Sequence, residues 1–143
     1  MSFTAEEVAY LKSQPLARIA TVSAEGQPDA VPVGFHFDGT YFYVGGIDPS
    51  NTRRSHNVRA GNNQVALVID DLVSVDPWTP RFLRVYGTAE LIDREGSGHS
   101  MFSGRSIMRI TPTISWSWNL DADTSTVHDS EFGPRRTVHQ PAA

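Results

Sequence analysis

Residues 64–69, QVALVI, leave this chain few architectures, because they are apolar on both faces of any strand they form. Such a strand belongs in the middle of a closed or covered sheet, not on the wet side of an open one. Other strand patterns surround it: Leu16–Val22, 28–37, 41–44, 82–92 and Ser106–Trp118. In 28–37 the apolar residues alternate at Val31, Val33, Phe35 and Phe37. In the last strand Met108, Ile110, Ile114, Trp116 and Trp118 are expected on one face, interrupted by Pro112. Turn chemistry at 24–27 (AEGQ) and at Asp38-Gly39 makes the first three strands read as a consecutive meander. Gly87 marks a bend or bulge, and 70–81, with its DPWTPR run, reads as a loop.

Two helices complete the pattern. Thr4 and Glu7 stand at capping-box spacing, Phe3, Val8 and Leu11 give a narrow apolar stripe, and Pro15 ends the element. A second, short helix follows the aromatic strand at 41–44, with Ser50 or Asn51 as the expected N-cap and Gly61 just past its end. The expected fold is mainly β: a six-stranded antiparallel split barrel, with a short N-terminal helix and a short helix between strands three and four. Residues 1–120 form the barrel, and 121–143 form a tail that is mobile or docks on a partner, with Phe132 as its anchor.

With 143 residues the chain suits one domain, and a net charge of −4 argues against general nucleic-acid binding. The absence of cysteine excludes disulfides and thiolate chemistry. No apolar run is long enough to span a membrane and no signal-peptide layout is present, so a cytoplasmic protein is expected. The five histidines lack metal-ligand spacing, and no serine sits in a GxSxG elbow. Asp70 and Asp71 lie at a strand end and suit a solvated turn.

The stretch 45–61, GGIDPSNTRRSHNVRAG, is where chemistry concentrates. Thr52, Arg53 and Arg54 fall in the first helical turn, where free N–H groups and two guanidinium forks suit a phosphate or carboxylate. An anion seat in a chain without acid–base machinery suits an organic cofactor that brings its own reactive atom. Pro32, Gly34 and Gly45-Gly46 either let a flat ring approach the backbone or form a barrel corner. Trp78 and Arg81, stiffened by Pro77 and Pro80, read as the tip of a loop, either an interface anchor or a cap on the barrel's own end.

The order LARIATVSAEGQPDAVPVGFHFDG, YFYVGG, NTRRSHNVRAGNNQVALVIDD, DPWTPRFLRVYGTAEL and IMRITPTISWSW resembles the pyridoxamine 5'-phosphate oxidase-like superfamily of flavin and deazaflavin split barrels. The similarity runs from about residue 2 to residue 118 and is closest to the actinobacterial F420-dependent branch. The resemblance implies a homodimer with two cofactor sites at the subunit interface, and a hydride transfer between coenzyme F420 and a small conjugated substrate. It places the cofactor phosphate on Arg53 and Arg54, with Thr52 and Asn57 nearby, and the ring near Pro32, Val33, Gly34 and Ile47. The partner would contribute Trp78 and Arg81. Flavin mononucleotide is the alternative cofactor, and a non-catalytic flavin-, deazaflavin- or haem-binding protein the alternative class. The acidic F420 tail would call on further arginines, with Arg59, Arg81, Arg135 and Arg136 as candidates.

Overall fold

The computed structural model describes residues 3–45, 51–93, 106–122 and 133–140. The elements run α1 (Ala5–Ser13), β1 (Leu16–Val22), β2 (Pro28–Gly34), β3 (His36–Phe37), β4 (Phe42–Val44), α2 (Arg53–Arg59), β5 (Gln64–Ser74), β6 (Thr79–Asp93), β7 (Ser106–Trp118) and β8 (Arg135–Val138). The capping box of α1 forms as its spacing predicts: the Glu7 N–H donates to Thr4 Oγ1 at 3.1 Å and the Thr4 N–H to Glu7 Oε1 at 2.9 Å. Tyr10 and Leu11 bury the inner side of this helix together with Phe3.

The fold is mainly β and antiparallel as expected, with eight strands among the described residues rather than six. The strands follow the path β2-β1-β5-β6-β7-β4-β3, and β8 pairs with β7. The expected meander forms with its middle strand broken in two. The run 28–37 breaks at Phe35: its first half pairs with β1, its second with β4. Phe35 turns into the core, so the chain leaves one end of the sheet path and joins the other. One residue therefore separates the two edges, which lie within about 10 Å of each other along an extended backbone. This stitch links the two ends of the curled sheet. On its other side strand β4 pairs with β7, Phe42 opposite Ile110. Strand β8 supplies the other additional strand, Trp116 opposite Arg136.

Two further differences have local causes. The region 70–81 is mostly strand: β5 continues to Ser74 and β6 begins at Thr79, with a register irregularity between Leu72 and Ser74. The cross-strand Asp71–Arg81 ion pair, at 2.7 Å, holds this extension together. On β7 the expected single face is broken. Tyr86 faces Ile114, but the next residue, Gly87, faces Pro112, so Thr113 is an inserted residue. An extra residue inverts the alternation beyond it. Met108 and Ile110 are buried, whereas past the bulge Ser115 and Ser117 point inward and Trp116 and Trp118 are only half-buried. The core consists of the inward residues Ile19, Leu67, Ile69, Leu83, Val85 and Phe42, closed by Phe3 and Leu11.

Candidate functional site

The helix after β4 is held by two polar contacts before any ligand is considered. Thr52, not Ser50 or Asn51, is its N-cap, because its Oγ1 accepts from the Ser55 N–H at 3.2 Å. Asn57 is buried, and its Nδ2 donates to Thr21 Oγ1 on β1 at 2.8 Å. Asn57 therefore fastens α2 to the barrel and has its amide turned toward β1. Gly61 follows the helix with a φ of 107°, in the left-handed region that favours glycine.

Thr52, Arg53 and Arg54 share one turn at the start of this helix. Arg53 is exposed. Arg54 is half-buried, and its Nη2 donates to the Gly45 carbonyl at 2.7 Å. Burial lowers the proton affinity of the Arg54 guanidinium and the nearby Asp29 carboxylate raises it. A guanidinium remains charged in either case. One fork is thus positioned by the backbone of the preceding strand end, and the other is exposed to solvent. Gly46, Ile47 and Ser50 lie outside the described residues.

Pro32, Val33 and Gly34 lie on β2, an edge strand that pairs with β1 alone, opposite Arg18, Ala17 and Leu16. An edge tolerates the missing N–H of Pro32. The Val33 side chain is buried in the core, so this strand offers its backbone rather than that side chain to a ligand.

Trp78 and Arg81 are separated by the hairpin. Trp78 sits in the turn after β5 and is 62% exposed. Arg81 lies within β6 and folds back on its own chain. Its Nε and Nη2 donate to the two Asp71 oxygens at 2.7 and 3.1 Å, and its Nη1 donates to the Leu120 carbonyl at 3.3 Å. The Tyr10 hydroxyl donates to the same carboxylate at 2.6 Å, and its ring lies 5.0 Å below the guanidinium. Burial disfavours the ionised Asp71, yet the bonds from Arg81 and Tyr10 outweigh it and hold the carboxyl below its ordinary range. Of the other arginines considered for an acidic tail, Arg135 binds Glu7 at 3.2 Å and Arg136 is exposed.

A pH effect follows. A carboxyl with a depressed folded-state pKa stabilises the fold above its unfolded value, and this contribution is lost as pH falls through the folded value. The Asp71 contribution is thus lost as the pH falls below about 4. We expect the wild type to lose about 1 kcal/mol more than Asp71→Asn between neutral pH and pH 2.5, after discounting for solvent screening. Urea melts across that range check this; parallel curves would remove the ion pair from the account.

The pattern of the sequence did not single out the outward side of β6 and β7. There the Arg84 guanidinium lies 4.2 Å from the Trp116 ring and 5.6 Å from that of Tyr86, and its buried Nε has no hydrogen-bond partner. Phe82 packs on Trp118 with ring centres 6.2 Å apart. The alternation Phe82, Arg84, Tyr86 was the available signal, but the phase change at Thr113 hid its tryptophan neighbours. Among the described residues no group of three or more His, Asp or Glu could hold a metal ion, and no helix is long and apolar enough to cross a membrane.

Comparison with known proteins agrees with this fold. The chain is 37% identical to the 5a,11a-dehydrotetracycline/5a,11a-dehydrooxytetracycline reductase of Streptomyces rimosus, across 95% of this chain and 100% of that one. Among solved structures, the heme storage protein HutZ of Vibrio cholerae superposes with a TM-score of 0.59 at 17% identity, over 78% of this chain and 91% of its own. An F420 reductase superposes with a TM-score of 0.54 at 20% identity, over 73% and 92%. These two similarities establish the fold alone. Residues 3–124 match the family described as pyridoxamine 5'-phosphate oxidase, and with the stitched barrel above, the chain belongs to that family of split-barrel proteins.

Proposed function

We propose that this protein is an F420-dependent oxidoreductase that acts as a homodimer on a small conjugated substrate. The observation that carries this reading is the end-to-end 37% identity to a reductase. The residues present fit the cofactor. Arg54, aimed by the Gly45 carbonyl, and the exposed Arg53 beside the Thr52 cap offer a phosphate two guanidinium forks. The β2 edge at Pro32–Gly34 offers a line along which a flat ring would lie, and Ile47 is part of the same proposal. Bound there, the deazaflavin would supply the hydride. The protein's own task is to hold the phosphate, orient the ring and keep water from the reacting face.

The dimer reading is supported by the outward aromatic face of β6 and β7. Phe82, Tyr86, Trp116 and Trp118 form a half-exposed panel that a second copy would cover, and the exposed Trp78 stands at its end. In such an assembly Trp78 would reach the partner's cofactor, while Arg81 would brace the hairpin that carries it. A cytoplasmic location is part of the same proposal.

Titration of the purified protein with F420 and, separately, with flavin mononucleotide tests the reading. We expect saturable quenching with F420 and much weaker binding of the flavin; the reverse order would transfer the protein to a flavin-dependent activity. Replacing both arginines, Arg53→Ala with Arg54→Ala, is expected to weaken F420 binding by at least tenfold. A single charge-assisted bond contributes about 1.5–3 kcal/mol. Unchanged affinity in the double variant, with its thermal melt intact, would remove the phosphate from this helix.

A further inference from the structure

Two oppositely charged groups on the outward face of the barrel are incompletely partnered. The Arg84 guanidinium lies against the Trp116 and Tyr86 rings, and its buried Nε has no hydrogen-bond partner. No carboxylate among the described residues forms an ion pair with it. Asp70 faces Arg18 at 3.4 Å, yet its buried Oδ1 accepts no hydrogen bond and 42% of its side chain is exposed. A charge stacked on rings and stripped of hydrogen bonds is costly unless a group from outside the chain completes it.

The register relates the two. Val68 faces Arg84 and Asp70 faces Phe82, while the intervening Ile69 and Leu83 point inward. Arg84 and Asp70 therefore stand at opposite corners of one outward cell of the sheet, about 5 by 7 Å, with Val68 and Phe82 at the other corners. The line from Val68 to Phe82 also divides the apolar surface. On the Arg84 side lie the exposed Tyr86 and the half-buried Trp116. On the Asp70 side lie the exposed Leu72, one step further along β5, and the exposed Leu16, one step beyond Arg18 on β1. Aromatic and cationic groups occupy one half, aliphatic and anionic groups the other. Such a face is complementary to itself when turned over about the dividing line.

We infer that two copies of this chain join through a reciprocal Arg84–Asp70 ion pair, about a two-fold axis that runs along the Val68–Phe82 line. Sheets stacked face to face lie about 10 Å apart, a gap that an arginine and an aspartate side chain span together. Asp70 then accepts from its own Arg18 and from Arg84 of the partner subunit, and the symmetry repeats the contact. The same rotation lays Tyr86 and Trp116 over Leu16 and Leu72 of the partner subunit. The inference rests on the dimer reading above and not on the identity of the cofactor.

Sedimentation equilibrium of charge-reversed variants tests the pair. The wild type should be a dimer. Arg84→Asp sets carboxylate against carboxylate at both ends of the contact, and Asp70→Arg sets guanidinium against guanidinium. Each variant alone should raise the dimer dissociation constant at least tenfold. An equal mixture of the two should recover at least tenfold, because the mixed dimer carries one native and one reversed pair. Should either reversal fail to fold, Arg84→Gln and Asp70→Asn take their place. Each should weaken the dimer, and the double variant should weaken it no further than the singles, since both remove one contact. A monomeric wild type overturns the inference, as does a mixture no tighter than its components or additive losses in the neutral variants. A mixture that dimerises, beside a wild type that fails to bind F420, defeats the cofactor reading and leaves the pair standing. F420 binding by a monomeric wild type does the reverse.

Discussion

Glu7→Ala is expected to destabilise the fold by about 2–4 kcal/mol, the sum of a lost cap and an orphaned buried hydroxyl. The carboxylate is 1% exposed and binds three separate elements. Its Oε1 accepts from the Thr4 N–H at 2.9 Å and from Arg135 Nη1 at 3.2 Å, while its Oε2 accepts from the Ser117 hydroxyl at 2.6 Å. Losing the capping bond costs about 1 kcal/mol. The abandoned Ser117 hydroxyl, in a nearly dry site, costs about 1–3 kcal/mol more. Arg135 contributes less, because its side chain is 52% exposed and water replaces its partner. For a domain of this size the melting temperature should fall by about 10 °C. Glu7→Gln keeps an acceptor for Thr4 and should lose distinctly less. A shift under about 3 °C for the alanine variant, or equal losses for both, would show that the carboxylate does not join α1, β7 and β8.

Gly87→Ala is expected to cost about 2–3 kcal/mol, in the range of overpacked cores. A Cβ built there would meet Ile110 Cγ2 and the Thr111 carbonyl oxygen, both at 2.7 Å. The Ile110 methyl could rotate aside. The carbonyl belongs to the β7 ladder beside the inserted Thr113 and cannot move without the bulge. The strain therefore falls on the point where β7 inverts its alternation, so near-ultraviolet circular dichroism should report altered Trp116 and Trp118 surroundings along with the lower melting point. Wild-type stability in Gly87→Ala would mean that the bulge relaxes freely and does not fix which face the tryptophans occupy.

Local signals were legible where partner and residue are close in the chain. The Thr4–Glu7 box, the Asp38-Gly39 turn and the Thr52–Arg54 cluster each lie within one turn, so spacing alone brought them together. The both-face apolar run at 64–69 marked a central strand, and β5 does lie between β1 and β6. What spacing could not show was a change of partner. Val31, Val33, Phe35 and Phe37 keep strand alternation through the break at Phe35, because each half is a proper strand; only the neighbour changes. Pro112 announced an irregularity on β7 but not the inserted Thr113, whose effect depends on Gly87 some twenty-five residues earlier. Asp71 and Arg81 looked like loop residues because their stabilising contact is with each other across the hairpin.

The stitch at Phe35 has a consequence for how the barrel comes apart. In an open sheet either edge frays independently, and its amides exchange with solvent at their own rate. Here both edges belong to one continuous segment, with β2 on one side of Phe35 and β3 on the other. Peeling β2 from β1 slackens the hold of β3 on β4, and release of β3 pulls on β2. The seam thus couples the two margins into one cooperative unit, and the natural unit of local opening is the whole seam at once.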